Sequence, residues 1–332
     1  MKLHNVFLSL VTLISTQSFA TEGPYLGVVN KADGTASFIN LLTHQTDFAV
    51  SVGFLPHEIT FSPDGRWAFV SNYGKDHVRS QAPTNRPGHN IAMIDMEKRQ
   101  VAKYLDLGAE ACAPHGLEAS PDGKRLYVTC EARKVVMVID LASAEITEIP
   151  TMQEQSHMVV FNTDETRAYT SNFASGSISV LDLTGKSSAQ VIPTGPGTEG
   201  ISLSGDGKFI YASSVLGNFI VKIDAATLEI IGRVETGKSP VRVVPTPDGE
   251  KLIVNCAASN VVQVFDAATM TLMREISVGR QPIGIVVPNN DYVFTATMLE
   301  NAVVMINLKT YKIEHRFATG NKPDGIAFGK AR

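Results

Sequence analysis

Three phrases of the chain put a histidine at the same place ahead of a turn. LPHEITFSPDG, APHGLEASPDG and QSHMVVFNTDE carry His57, His115 and His157 in turn. In the same column of later phrases stand Glu199, Val241 and Ile283, and near the C-terminus Asp324. Neutral imidazoles combined with carboxylates suit Zn, Fe, Mn, Cu or Ni. Three or four protein ligands that leave one position open make a catalytic rather than a structural site. A divalent ion held that way lowers the pKa of bound water or polarises a carbonyl. His57, His115, His157, Glu199 and Asp324 are therefore the candidate metal ligands. Arg242, one place after the column, offers a guanidinium fork that matches a substrate carboxylate. Glu58 and Glu131 are the candidate general bases. The competing reading is that a wet channel mouth is lined with polar groups, each histidine merely solvated. Three in register beside acids favour a ligand site, since clustered titratable groups mark functional sites more often than single ones do.

What positions these residues is a repeat. The tetrads SPDG (62–65), SPDG (120–123), NTDE (162–165), SGDG (204–207), TPDG (246–249) and PNND (288–291) are spaced by 58, 42, 42, 42 and 42 residues. The long first interval implies an insertion around residues 75–90, KDHVRSQAPTNRPGHN, which brings His77, Arg79, Arg86 and His89. A second column, Asp95, Asp140, Asp182, Asp224, Asp266 and Asn307, keeps the same register. Each unit reads as four short strands separated by Gly, Asp, Asn and Pro turns. Four strands in 40–45 residues make a propeller blade. Six complete units leave residues 25–52 without a first strand and 322–328 without a successor. Joined, these remnants make a seventh blade, and the sequence predicts an all-β, seven-bladed β-propeller of four antiparallel strands per blade, closed by both termini.

The second-strand phrases YVTC (127–130), FVSN (69–72) and YTSN (170–173) resemble the YVTN-type repeat family of seven-bladed propellers. The likeness runs over essentially all of residues 21–332. That family shares its architecture with lactonase-type propellers and virginiamycin B lyase, and it includes enzymes, redox-enzyme subunits and binding proteins. The resemblance implies the fold and leaves the activity open.

In such a blade the first strand lines the channel, and its mouth shares a face with the second-to-third loops. Asn72-Tyr73, Cys130-Glu131 and Asn172-Phe173 lie on that face, and the insertion hangs there as an expected cover for His57 and His115. Trp67 and the strand aromatics are expected between blades, and the PDG turns are structural. No GxSxG or phosphate-cradling loop is present, which weighs against serine hydrolase or nucleotide chemistry.

Residues 1–20, MKLHNVFLSLVTLISTQSFA, have a basic start, a short apolar run and a small-residue cleavage site near Ala20, the pattern of a secretory signal peptide. Residues 21–332 are then a single soluble domain in the periplasm or secreted, a monomer with no membrane insertion. Three cysteines, Cys112, Cys130 and Cys256, allow one disulfide at most. Cys112 and Cys130 either form it, or Cys130 is a buried small hydrophobe like Cys256. A copper site using Cys112, Met158 and the histidines is a minor alternative. The net charge of −4, with no basic stripe, argues against a nucleic-acid surface.

The expectation is thus an exported propeller with a divalent metal and small-molecule site at the channel mouth, acting as a hydrolase or lyase on a lactone-like or carboxylated substrate. The alternative is a non-catalytic periplasmic binding protein that handles metal or partners a redox enzyme. Single-strand DNA binding is disfavoured, because there is no aromatic and basic groove.

Overall fold

The computed structural model describes residues 23–74, 88–187 and 189–330. Residues 1–22, which include the expected leader, and residues 75–87 of the insertion lie outside the described residues. Within them the chain forms seven four-stranded antiparallel sheets and no helix. Blade 1 joins the two ends. Its innermost strand, Pro323–Gly329, pairs with Tyr25–Asn30, placing Tyr25 opposite Gly329 and Val28 opposite Ile326. Thr35–Asn40 and Gln45–Ser51 complete it. Blades 2 to 7 begin with the innermost strands Pro56–Phe61, Pro114–Ala119, Ser156–Phe161, Thr198–Leu203, Pro240–Pro245 and Pro282–Val286. Sharing a blade between the termini removes the open edge that a ring of six units would leave.

The repeated tetrads fold as expected from their side chains. Ser62 donates to Asp64 at 2.6 Å, while the amides of Arg66 and Trp67 donate back to Asp64 and Ser62. The same contacts recur at Ser120/Asp122 and Ser204/Asp206. NTDE lacks the usual glycine, so Glu165 takes the left-handed conformation (φ 51°). Its carboxylate reaches blade 3, receiving the Tyr127 hydroxyl at 2.9 Å and pairing with Arg125 at 2.6 Å. At the second column, Asp95 accepts the amides of Glu97 and Lys98, an Asx turn repeated at Asp140, Asp224 and Asp266.

The core lies between blades. Second strands such as RLYVTC and KLIVNC are buried along nearly their whole length, because both of their faces are covered. Outermost strands such as QVAKYLD are mostly exposed. Phe69, Ile91 and Leu105 of blade 2 pack on Leu117, Leu126, Val128 and Met137 of blade 3, with Trp67 at the margin of the cluster. Cys112 and Cys130 are disulfide-bonded, whereas Cys256 is free and buried.

Candidate functional site at the channel mouth

The histidine column sits on a backbone irregularity that every blade repeats. The pairing of innermost and second strands slips between Pro56 and Ile59, Pro114 and Leu117, Ser156 and Val159, and at the matching points of the other blades. Two residues before each column residue the chain takes a positive φ, at Leu55, Ala113, Gln155, Gly197, Ser239, Gln281 and Lys322. A bulge of this kind breaks the strict alternation of side chains and re-aims them. A column residue and its successor therefore both reach one network, as His57 does with Glu58. In six blades the residue after the second strand donates its amide to the carbonyl of that positive-φ residue, as Lys31 does to Lys322 and Glu131 to Ala113. Loop and strand are thereby fixed at one level around the mouth.

Hydroxyls stitch neighbouring blades at the same level. Thr129 accepts the Gly116 amide of its own blade at 2.8 Å and donates to the His157 carbonyl of the next at 2.7 Å. Ser71 bridges Glu58 to His115 and Ser171 bridges Met158 to Glu199 in the same way. Glycine after the column makes room for the next blade. A Cβ on Gly116 would meet Met158 Cα at 2.6 Å, and one on Gly325 would meet Glu58 Cα at 2.7 Å.

The side chains form two connected groups. His115 stacks on His157 with ring centroids 3.8 Å apart and lies 4.7 Å from His57. Glu131 accepts from Tyr73 at 2.5 Å on one oxygen and meets His157 Nδ1 at 2.6 Å on the other. Burial opposes a charge on His157, but hydrogen bonds and charge from Glu131 and Glu199 outweigh it and push its pKa up to about 9. Burial also works against the Glu199 carboxylate, yet His157 and Arg242 hold it below the usual range. Arg242 donates to Glu58 at 2.6 Å and to Glu199 at 3.2 Å. Burial raises Glu58 despite Arg242. Burial first, and then Glu131, raise Tyr73, which remains a phenol and a donor.

His57 faces the other way. Its Nε2 lies 2.8 Å from Lys31 Nζ and 3.8 Å from Asp324, and Lys31 pairs with Asp324 at 3.4 Å. An ammonium only donates, so His57 accepts at Nε2 and carries its proton on Nδ1, toward the Leu55 carbonyl at 3.4 Å. The five expected ligands are thus on one ring but divide. His115 and His157 fall in one group, Glu199 bridges His157 and Arg242, and His57 and Asp324 share Lys31. Lys31 is the residue that sequence reasoning missed. It occupies the position of Tyr73 and Glu131 on blade 1, which the split between the termini obscured. His89 lies apart, exposed beside Asp106.

Three donors stand closest to a coordination group. Ligand atoms of His115, Glu131 and His157, all buried, lie within 4.8 Å of one another. A tetrahedral ion with bonds of about 2.1 Å sets its ligands about 3.4 Å apart, so side-chain rotation must tighten the group, and His157, held charged by Glu131 and Glu199, must release a proton to join it. His115 fits the part best. It is 3% exposed, and its Nδ1 has no hydrogen-bond partner among the described residues. Burial, then the charges of His157, His57, Arg242 and Lys31, hold its pKa well below the ordinary histidine value. A neutral imidazole with an unengaged nitrogen is the form that binds metal.

The fold and this rim define a seven-bladed β-propeller with a histidine and carboxylate cluster at one channel mouth. Residues 156–292 match the family model of YNCE-like beta-propellers. Among solved structures the chain is similar to the Kuenenia stuttgartiensis hydrazine synthase, with a TM-score of 0.73 and 18% identity over 87% of this chain and 93% of that one. It is also similar to a functionally unknown protein from Desulfotomaculum acetoxidans DSM 771, with a TM-score of 0.76 and 13% identity over 93% of this chain and 99% of that one. Identities this low carry the fold alone. No curated protein matches the sequence.

Proposed function

We propose that this protein is an exported, monomeric propeller that holds a divalent transition-metal ion on His115, His157 and Glu131 at the channel mouth. The observation that carries the reading is the buried His115 Nδ1, unpartnered beside two further ligand atoms. A buried polar atom without a partner costs about 1–3 kcal/mol, and coordination would remove that cost. Export rests on the leader at residues 1–20, and the Cys112–Cys130 bond supports an oxidising compartment.

The chemistry we assign is hydrolysis or elimination on a lactone-like or carboxylated small molecule, with the ion polarising the substrate or activating water. The YVTN-type resemblance, with its lactonase-type and lyase relatives, supports it. Glu131 then serves as a ligand, leaving Glu58 as the candidate base and Arg242 as the carboxylate clamp. One observation favours a second, non-catalytic reading as a metal-handling or partner-binding protein. Arg242 already donates to Glu58, Glu199 and the Val241 carbonyl, so a substrate carboxylate would have to displace one of them.

Cobalt titration tests the metal assignment. The metal-free protein should take up one Co2+ per chain and develop visible d–d absorption. His115→Ala, Glu131→Gln and His157→Ala should each abolish it. Unaltered spectra in all three variants would refute the site.

A further inference from the structure

The residue that ends the second strand has a repeated task in five of the seven blades, whereas Cys256 of blade 6 and Thr297 of blade 7 bond instead to Gln263 and to the Ala302 carbonyl. In blade 1 Asn30 accepts the amide of Gly320, on the segment that leads into its own innermost strand, at 3.0 Å. In blade 2 Asn72 donates to the Val52 carbonyl at 2.8 Å. In blade 4 Asn172 accepts from Ser156 at 3.1 Å, and in blade 5 Ser214 donates to the Pro196 carbonyl at 2.6 Å. Each contact clasps the loop entering the innermost strand, just ahead of the column residue. In blade 3 the same position is Cys130, and the clasp is its disulfide to Cys112.

That blade supplies two of the three donors of the candidate metal group. Cys112 lies three residues before His115, and Cys130 lies immediately before Glu131. Both cysteines are fully buried. Around them the backbone is doubly tied, with the Glu131 amide on the Ala113 carbonyl and the Ala132 amide on the Cys112 carbonyl. Cys112 and Ala113 also donate to the Gly88 carbonyl, and the Gly88 amide bonds to Tyr73, the residue that holds Glu131. The bond therefore fixes the strand mouth of His115 against the loop of Glu131, where blades 1, 2, 4 and 5 use a hydrogen bond.

We infer that the Cys112–Cys130 disulfide is the positioning element of the metal group, so that the ligand geometry of His115 and Glu131 forms only in the oxidised protein. The inference rests on the metal reading above. A thiol is only a weak donor and acceptor, so without the covalent bond the two segments are held by their backbone hydrogen bonds alone. Reduction or substitution then leaves His115 and Glu131 on separate, looser segments while the blade cores stay packed.

The test compares Zn2+ affinity by calorimetry in the oxidised mature chain and in Cys112→Ala/Cys130→Ser. The variant should bind about 10–100-fold more weakly, the loss typical when support around a metal ligand is removed. Amide hydrogen exchange without metal should quicken at residues 112–117 and 130–132 and remain unchanged in the other blades. Cys112→Ala/Cys130→Asn, which restores a hydrogen-bonded clasp, should bind with intermediate affinity. It carries the comparison if the serine variant fails to fold. Wild-type affinity in either folded variant, or exchange that quickens throughout the ring, overturns the inference and leaves the metal reading standing. Absence of Zn2+ binding by the oxidised wild-type chain overturns both.

Discussion

Arg242 on blade 6 reaches across the channel to Glu58 on blade 2, and the two side chains meet at 2.6 Å with both nearly buried. Removing Glu58 leaves Arg242 with Glu199 as its remaining carboxylate partner, at 3.2 Å, and the lost charged hydrogen bond costs about 1.5–3 kcal/mol. Glu58→Ala should lose that much in urea denaturation, and Glu58→Gln, whose amide oxygen can still accept from Arg242, should lose less. A loss below about 1 kcal/mol for the single variant, the level of an exposed pair, would show that the contact is not a strut.

Glu118 lies on the innermost strand of blade 3, three residues beyond His115. Burial, then the charge of Glu58, push its pKa up to about 7 from an ordinary 4.5. Between those values the folded chain keeps a proton that the unfolded chain has lost, so stability falls as pH rises from 4.5 through 7 and levels off above. Glu118→Gln should flatten this segment of the stability profile. An unchanged slope would assign the dependence to other groups.

Thr129 is fully buried and serves both Gly116 and His157. Thr129→Val keeps the shape but orphans an amide and a carbonyl, and should cost about 1–3 kcal/mol. The His157 imidazole resonances should shift with it, because its backbone loses the anchor from blade 3. Stability and spectra like those of the parent would mean that the stitch is dispensable.

Closing blade 1 depends on Pro323–Gly329. Truncation after Lys322 should lower the melting temperature of the whole ring and broaden the transition, because the first and last blades lose their shared sheet. An unchanged melting temperature would show that the last strand is only an appendage.

Much of this was legible in the residues. Turn tetrads at constant spacing, the Asp column and the complementary remnants at 25–52 and 322–328 gave blade number, register and closure, because each rests on local turn chemistry. The column of His57, His115, His157, Glu199 and Asp324 was readable for the same reason. Which of these side chains meet was not. A column places residues on a ring, whereas bulge geometry and neighbouring loops decide direction. Lys31 drew His57 and Asp324 together, and Tyr73 oriented Glu131 toward His157. The hydroxyls of Ser71, Thr129 and Ser171 read as ordinary strand residues, since their role depends on carbonyls about 28–44 positions away. The Cys112–Cys130 bond was one of two open readings, because spacing alone does not give the distance between sulfurs.

The central claim is that His115, Glu131 and His157 bind a metal ion. Its most direct measurement is the metal content of the protein, purified from its native compartment without an affinity tag and without chelators. The account predicts close to one transition-metal ion per chain, and none in the His115→Ala/His157→Ala variant handled identically. A wild-type protein that carries no metal, and takes none up when Zn2+ or Co2+ is offered, would contradict it. The histidines would then be the lining of a wet channel.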